Sequence, residues 1–365
     1  MTPFLDIPFL PEQAYVDFIN SNSDHIDTVH FSLMGARRLD NRVDPRSIDN
    51  LDTIIRMMEQ VRVKNKYLLL NSIFYGPELL TNSDHLSHLI DCLDRCATAG
   101  VVKGIIYCDQ FLLQSLSAEA PELAKSLEAV PGTNTMLDSR AKISSHLAYI
   151  DETNFRLPSK LTLDRSLNRN FEQLTDTINW CRRGCPEIKI ELLANEGCLP
   201  FCPYRNSHDA YIALGNHEGD DRSSHINKKL GCRQLLNKQP YRLLQSPFIR
   251  PEDVDSYLGQ ADLILLCGRA QGLDFLKKTV SAYVAKKHEG NLLELLDSMN
   301  WLGEHLYIEN SALSFDFANM LSVCDNRCAS CGFCMELFKA LARPLNRSLN
   351  LEKAEAQATE AQAIM

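Results

Sequence analysis

Eight short runs of aliphatic and β-branched residues, separated by stretches of helical periodicity, constrain this chain more than any single motif. The runs are read as strands at residues 5–9, 27–32, 67–71, 102–108, 129–136, 160–165, 188–195 and 261–267. Between them lie amphipathic patterns. Residues 47–61 place Ile48, Leu51, Ile54, Ile55 and Met58 on one face, and residues 85–97 do the same with Leu86, Leu89, Ile90 and Leu93. Strands that alternate with helices form parallel sheets, and eight repeats predict an α/β fold, a (β/α)8 TIM-type barrel.

The repeat ends near residue 290. Residues 1–290 are read as the barrel, 291–345 as a helical Cys-rich extension, and 346–365, rich in Ala, Glu and Gln, as a disordered tail. After the last strand, helices are expected at 274–287 and at 292–301. The stretch 198–260 is too long for one crossover helix and is expected to form a long mobile loop over the barrel mouth. Pro251 near its end suits the first turn of a helix.

Composition narrows the setting. The 365 residues are 45% hydrophobic and 23% charged, ordinary for a globular chain with a large core. No run of about 18 uncharged apolar residues occurs, and the N-terminus lacks a basic and apolar leader, so a cytoplasmic protein with no membrane span is expected. The net charge of -9 repels phosphate, so a nucleic-acid partner is not excluded but needs a local basic patch.

Cysteine is the unusual component. Four of 13 cysteines, Cys324, Cys328, Cys331 and Cys334, fall within one short segment, and a second group comprises Cys198, Cys202 and Cys232. Three readings compete: an iron–sulfur cluster, a zinc site and a disulfide framework. Zinc sites favour Cys pairs across a long spacer and disulfide scaffolds are short secreted chains, so the spacing favours one or two iron–sulfur clusters, with zinc as the alternative. Four consecutive ligands this close are strained, and some mixing of the two groups, or a second metal, is expected. The spacing of Cys324, Cys328 and Cys331 also suits a radical S-adenosylmethionine cluster, but its place at the end of the chain argues against that chemistry.

In a (β/α)8 barrel, chemistry is done at the C-terminal ends of the strands. Those positions hold His30 and Ser32, followed by Arg37, Arg38 and Arg42, then Asn71, Cys108 with Asp109, Asp164 with Arg165, Asn168 with Arg169, Asn195 with Glu196, and Cys267 with Arg269. The candidate catalytic set is Asp164, Arg165, Asn195, Glu196 and Arg269. Arg165 and Arg269, each directly after a strand, are candidates to bind a small anionic co-substrate, because a guanidinium fork matches carboxylate or phosphate. Rim pairing with Asp or Glu is the competing role. Cys108 and Cys267 end apolar runs and read first as small buried hydrophobes, and Cys92 with Cys96 and Cys181 with Cys185, i, i+4 pairs on outer helices, read first as isolated thiols. His208, His217 and His225 show no ligand spacing and are expected to be solvated.

Several of these segments together resemble the collagenase-like peptidase family. The run Glu191-Leu192-Leu193-Ala194-Asn195-Glu196-Gly197-Cys198 is similar to that family's Glu-x-Phe-x-His-Gly-Ala-x-Cys signature, and Gly231-Cys232-Arg233 to the Cys that follows it. Ser246-Pro247 and Leu266-Cys267-Gly268-Arg269 resemble its Ser-Pro turn and its Lys-Ile-Glu-Gly-Arg strand end. Leu163-Asp164-Arg165-Ser166-Leu167 stands where the family has an Arg-Glu-Leu type segment, and Leu70-Asn71 resembles a strand-ending Asn. Asn195 replaces the usual His, Cys267 replaces the Glu, and the Cys-rich tail lies outside the common core.

The resemblance implies a barrel whose loop after the seventh strand holds a 4Fe–4S cluster through Cys198, Cys202 and Cys232. It also implies relatives that hydroxylate ubiquinone precursors or RNA bases without oxygen, some with prephenate, and others that carry the protease name. The leading expectation is an iron–sulfur hydroxylase, or a subunit of a heteromeric one with a protein partner, acting on an aromatic or nucleobase substrate. A collagenase-like peptidase is the alternative, although no Gly-x-Ser-x-Gly or His-Glu-x2-His motif occurs. A non-catalytic electron-transfer or scaffold partner is the third reading.

Overall fold

The computed structural model describes residues 3–33, 50–219, 222–314 and 317–345. Eight parallel strands run in chain order as β1 (Leu5–Pro8), β2 (Ile26–Phe31), β3 (Asn65–Leu70), β4 (Gly104–Tyr107), β5 (Glu128–Pro131), β6 (Lys160–Leu163), β7 (Lys189–Leu193) and β8 (Leu263–Leu265). Their order is β5-β4-β3-β2-β1-β8-β7-β6, and β1 pairs with both β2 and β8. The sheet therefore winds into a nearly closed barrel with helices between the strands, the expected class. The expected runs overran the observed strands by a few residues at the ends, where polar strand-end residues turn away into loops.

Alternation along each strand sorts the side chains. Leu5 and Ile7, Leu161 and Leu163, and Ile190 and Leu192 face outward into the core shared with the helices. The lumen is divided. On the β3 to β5 side it is filled by Tyr67, Leu69, Ile106 and Val130, a separate apolar cluster. On the opposite side it holds buried Asp6, His30, Lys160, Thr162 and Glu191.

The seam between β5 and β6 is closed without a ladder. Arg156, just before β6, exchanges backbone bonds with Leu127 and Ala129. Glu128 then gathers three donors on one carboxylate oxygen: the Tyr67 hydroxyl at 2.7 Å, and the Ser159 amide and hydroxyl at 3.0 and 2.9 Å.

The expected loop over the mouth is largely helical. Helices span Arg205–Glu218, Arg222–Leu230 and Cys232–Lys238. They were hidden because each buries little of its own: Ala213 and Gly215, Asn227, and Leu236 respectively. Asn227 links them, through an amide contact to His208 Nε2 at 3.3 Å and by accepting the Cys232 thiol at 3.2 Å. His217 stands 3.2 Å from Glu78, so of the three histidines only His225 is exposed without a described contact.

The helix expected at 292–301 is broken instead into turns at Leu292–Leu295 and Asp297–Met299 and a short helix at Asn300–Gly303. The amides of Asp297 and Ser298 bind the carbonyls of Asn195 and Glu196 rather than continuing a helix. These residues share a second apolar core with the mouth helices, including Leu199, Leu236, Leu243, Phe248, Leu302 and Phe338. Arg250 pins this layer to the barrel. It is buried, paired with Asp253 at 2.7 Å, bonded to the carbonyls of Asn310, Leu313 and Ser314, and stacked on Phe317. A two-stranded antiparallel pair, β9 (Leu306–Ile308) and β10 (Ala342–Pro344), closes the extension. Arg37, Arg38, Arg42 and residues 346–365 lie outside the described residues.

Candidate active site

The charged half of the lumen forms the floor of a pocket that opens at the C-terminal ends of the strands. His30, Asn71, Thr162, Glu191, Glu196, Cys267, Arg269 and Asp297 line it. Strand periodicity puts them there: Glu191 points inward because Ile190 and Leu192 point outward, and Thr162 lies beside it in register on β6.

Lys160 Nζ bridges two buried carboxylates, Asp6 on β1 and Glu191 on β7, the second at 2.9 Å. Thr162 donates to Glu191 at 2.5 Å, and His30 Nδ1 stands 2.8 Å from Asp6. Two carboxylates around one ammonium do not ionise alike. Burial pushes Glu191 up to about 8; Lys160 opposes the rise, and the charge of Asp6 adds to it. Burial also acts to raise Asp6, but Lys160 and His30 outweigh it and hold that carboxyl well below the usual range. Near neutral pH the floor thus contains one carboxylate, one ammonium and one carboxylic acid.

Sequence reading named His30 at a strand end and quoted Glu191 within a signature, but missed Asp6, Lys160 and Thr162. The available signal was a charge inside an apolar strand, as in Leu5-Asp6-Ile7 and Ile190-Glu191-Leu192.

The named candidates occupy the rim. Arg165 pairs with Glu196, and Glu196 and Arg269 line the pocket. Asp164 accepts the Ser166 amide and hydroxyl and pairs with Arg205 from a mouth helix. Burial alone would raise Asp164, but Arg205 and Ser166 hold it below its ordinary value. Asn195 is fully buried and its amide joins strand ends: Nδ2 donates to the carbonyls of Cys267 and Leu295, and Oδ1 accepts the Cys267 amide at 2.8 Å. Gly197 next to it adopts φ 79°, and an added Cβ would sit 2.8 Å from Met299, so this turn requires glycine.

Ten of the 13 cysteines fall into three groups, and Cys92, Cys185 and Cys267, half-buried, stand outside them. Cys96, Cys108 and Cys181 are buried, and burial pushes their thiols up to about 12, 12 and 11. In the mouth loop, Cys198 donates to Ser298 at 3.5 Å, while Cys202 and Cys232 are close enough to feel each other's charge. Cys324, Cys328, Cys331 and Cys334 all line one separate cavity, walled by Tyr241, Met320 and Phe333 and containing none of the loop cysteines. The expected mixing of the two groups is therefore not seen. All 13 cysteines are free, and among the described residues no three Cys, His, Asp or Glu side chains already stand in an ion-holding set.

As a donor set, the tail four suit a thiolate-bound metal group. Beside one of them, Cys334, lies Arg169, a buried cation that shares its Leu244 carbonyl partner.

No family model matches the chain. Over 181 residues it is 34% identical to an uncharacterized protease of Methanocaldococcus jannaschii, a stretch covering 48% of this chain and 51% of that protein. The chain thus spans about half the length of the curated relative it matches. Among solved structures, the U32 peptidase Mk0906 aligns over 73% of this chain and 94% of its own, at 16% identity and a TM-score of 0.47. An α-amylase from Geobacillus thermoleovorans aligns over 72% of this chain and 69% of its own, at 8% identity and a TM-score of 0.40. Among the described residues no helix is long and apolar enough to cross a membrane.

Proposed function

We propose that this chain, which belongs to the collagenase-like peptidase family, is a hydrolytic enzyme whose acid–base centre is the charged floor of the barrel mouth. The observation that carries the reading is Glu191, a carboxylic acid kept protonated near neutral pH beneath an open pocket, beside a histidine oriented by a carboxylate. Paired groups pushed apart in acidity are the usual basis of acid and base roles.

Asp6 holds His30 through Nδ1, which leaves Nε2 to take a proton from water. The water oxygen adds to an amide carbonyl, and as the C–N bond breaks Glu191 gives its proton to the leaving nitrogen. The proton on His30 then returns to Glu191 through solvent, so no oxidant or reductant is needed. Lys160 keeps its charge between Asp6 and Glu191 throughout. Arg269 at the rim is suited to a carboxylate of the substrate.

The test is hydrolysis of gelatin and of a fluorogenic peptide mixture between pH 5 and 9. Glu191→Gln and His30→Asn are each expected to lower kcat/KM by about 10²–10⁴-fold. Wild-type activity is expected to fall as pH rises through about 8, where Glu191 loses its proton. Full activity in Glu191→Gln would exclude this assignment.

A second reading, oxygen-independent hydroxylation of an aromatic or nucleobase substrate, draws support from Cys202, which lies within electrostatic reach of Cys232, Arg165 and Arg205. In that case Cys198, Cys202 and Cys232 would hold an iron–sulfur cluster, which supplies one-electron chemistry, and Arg165 and Arg269 would bind the anionic co-substrate. Iron and sulfide content that survives Cys202→Ser and Cys232→Ser would count against this ligand set.

A further inference from the structure

The acid–base centre makes no use of the Cys-rich extension, yet the fold brings that segment to a defined place. Cys324 precedes a one-turn helix at Cys328–Cys331, Gly332 turns the chain with φ 66°, and Cys334 lies in the first turn of the helix Phe333–Leu341. All four thiols border the same cavity, whose other walls are largely apolar.

Behind Cys334 lies Arg169, which bonds to the same Leu244 carbonyl as that thiol. Its guanidinium is 2% exposed and bonds to the carbonyls of Leu244 and Ser246, the latter at 3.0 Å through Nε. The ionisable groups that act most strongly on it are Cys334, Tyr257 and Cys324. Carbonyl oxygens solvate a guanidinium but do not neutralise it, and a buried cation is costly without an anion. Tyrosine and neutral thiols supply none. Four thiolates around either Zn²⁺ or a 4Fe–4S core in its 2+ state carry net charge 2−, which would meet that demand.

We propose that Cys324, Cys328, Cys331 and Cys334 form a metal centre held by four thiolates, an iron–sulfur cluster or a zinc ion, with Arg169 as its buried counter-charge. Cys328 and Cys331 are exposed, so they can rotate onto a guest without breaking packing. Cys334 donates to the Leu244 carbonyl at 3.5 Å and exchanges that contact for the metal. Each thiol gives up its proton to solvent on binding, so uptake releases up to four protons per chain.

The centre is also joined to the barrel mouth. The turn Arg165–Arg169 presents Arg165 to Glu196 at the pocket rim and Arg169 to the thiols, four residues apart. Asn168 in the same turn bonds to the carbonyls of Leu193, at the end of β7, and Pro247.

The test is metal analysis of the full chain, purified without oxygen and then reconstituted either with iron and sulfide or with zinc. The wild type is compared with Cys328→Ser/Cys331→Ser and with Cys202→Ser/Cys232→Ser, and far-UV circular dichroism checks the fold of each. The tail double variant is expected to lose one full metal complement, while the loop double variant keeps it. Matching iron and sulfide with a visible absorption band identifies a cluster; one zinc per chain with no band identifies zinc. Equal metal content in the tail variant and the wild type would overturn the proposal. So would a reconstituted wild type that holds neither metal. None of these readings depends on hydrolysis.

Discussion

Two cations, Lys160 and Arg169, are buried to the same extent, each 2% exposed, and the protein treats them in opposite ways. Lys160 touches Asp6 and Glu191, and although burial acts to lower its pKa, those two carboxylates raise it well above the ordinary lysine value. Arg169 is bonded to carbonyls, with thiols beside it, and burial shifts it downward. One charge is compensated within the chain. The other has the shape of a site completed by a guest. One barrel thus carries a buried cation answered by its own carboxyl groups and another bonded to carbonyl dipoles.

The comparison is tested most severely at Lys160. Lys160→Met leaves the Asp6 charge with only His30 beside it, and removing one partner of a buried ion pair costs about 3–5 kcal/mol. Urea unfolding should show that loss, and adding Asp6→Asn should recover much of it. A cost below about 1 kcal/mol would mean that the lumen is hydrated and its charges are not coupled as described.

The next effect is in the pH dependence. Glu191 binds its proton more tightly folded than unfolded, so its contribution to stability is complete below its ordinary value of 4.5 and is lost as pH rises through about 8. Asp6 acts in the opposite direction, its contribution being present above 3.8 and lost on acidification. Wild-type unfolding free energy should therefore decline between pH 5 and 8, and Glu191→Gln should flatten that decline. The same slope in both proteins would assign the proton to another group.

Glu128 provides an intermediate case, a buried carboxylate served mainly by neutral donors. Burial acts to raise it, but Ser159 and Tyr67, helped by Lys103 at 3.3 Å, hold it below its ordinary value. Tyr67→Phe removes one donor and should cost about 1.5–3 kcal/mol, the usual contribution of a hydrogen bond to a charged group. Because Glu128 spans the seam, hydrogen exchange at the Ala129 and Arg156 amides should quicken more than at the β1–β2 ladder. Uniform exchange would show that the seam does not depend on this carboxylate.

These sites were unequally legible in the sequence. Strands buried on both faces appear as continuous aliphatic runs, so all eight could be read from runs such as Leu68-Leu69-Leu70 and Leu263-Ile264-Leu265. The helices at 205–238 could not, because they bury only a few small or polar side chains and their periodicity is faint. The tail thiols stood out by density alone. Asp6 and Lys160 did not, since the partners of a buried charge lie 154 residues apart in the chain and only the closed barrel joins them. Arg169 looked like any rim arginine until the tail was folded against it.

The smallest expected change is also the one that divides the two cations most clearly. Cys328 is exposed, so Cys328→Ser in metal-stripped protein should alter stability by no more than about 0.5 kcal/mol, as at other surface positions. In metal-loaded protein the same substitution removes a ligand from a group that binds only the folded state, and the melting temperature should drop by several degrees. At Lys160 no such dependence is expected, because the carboxyl groups that hold it, Asp6 and Glu191, belong to the chain. Equal effects of Cys328→Ser with and without metal would remove the distinction, leaving Arg169 solvated by carbonyls alone.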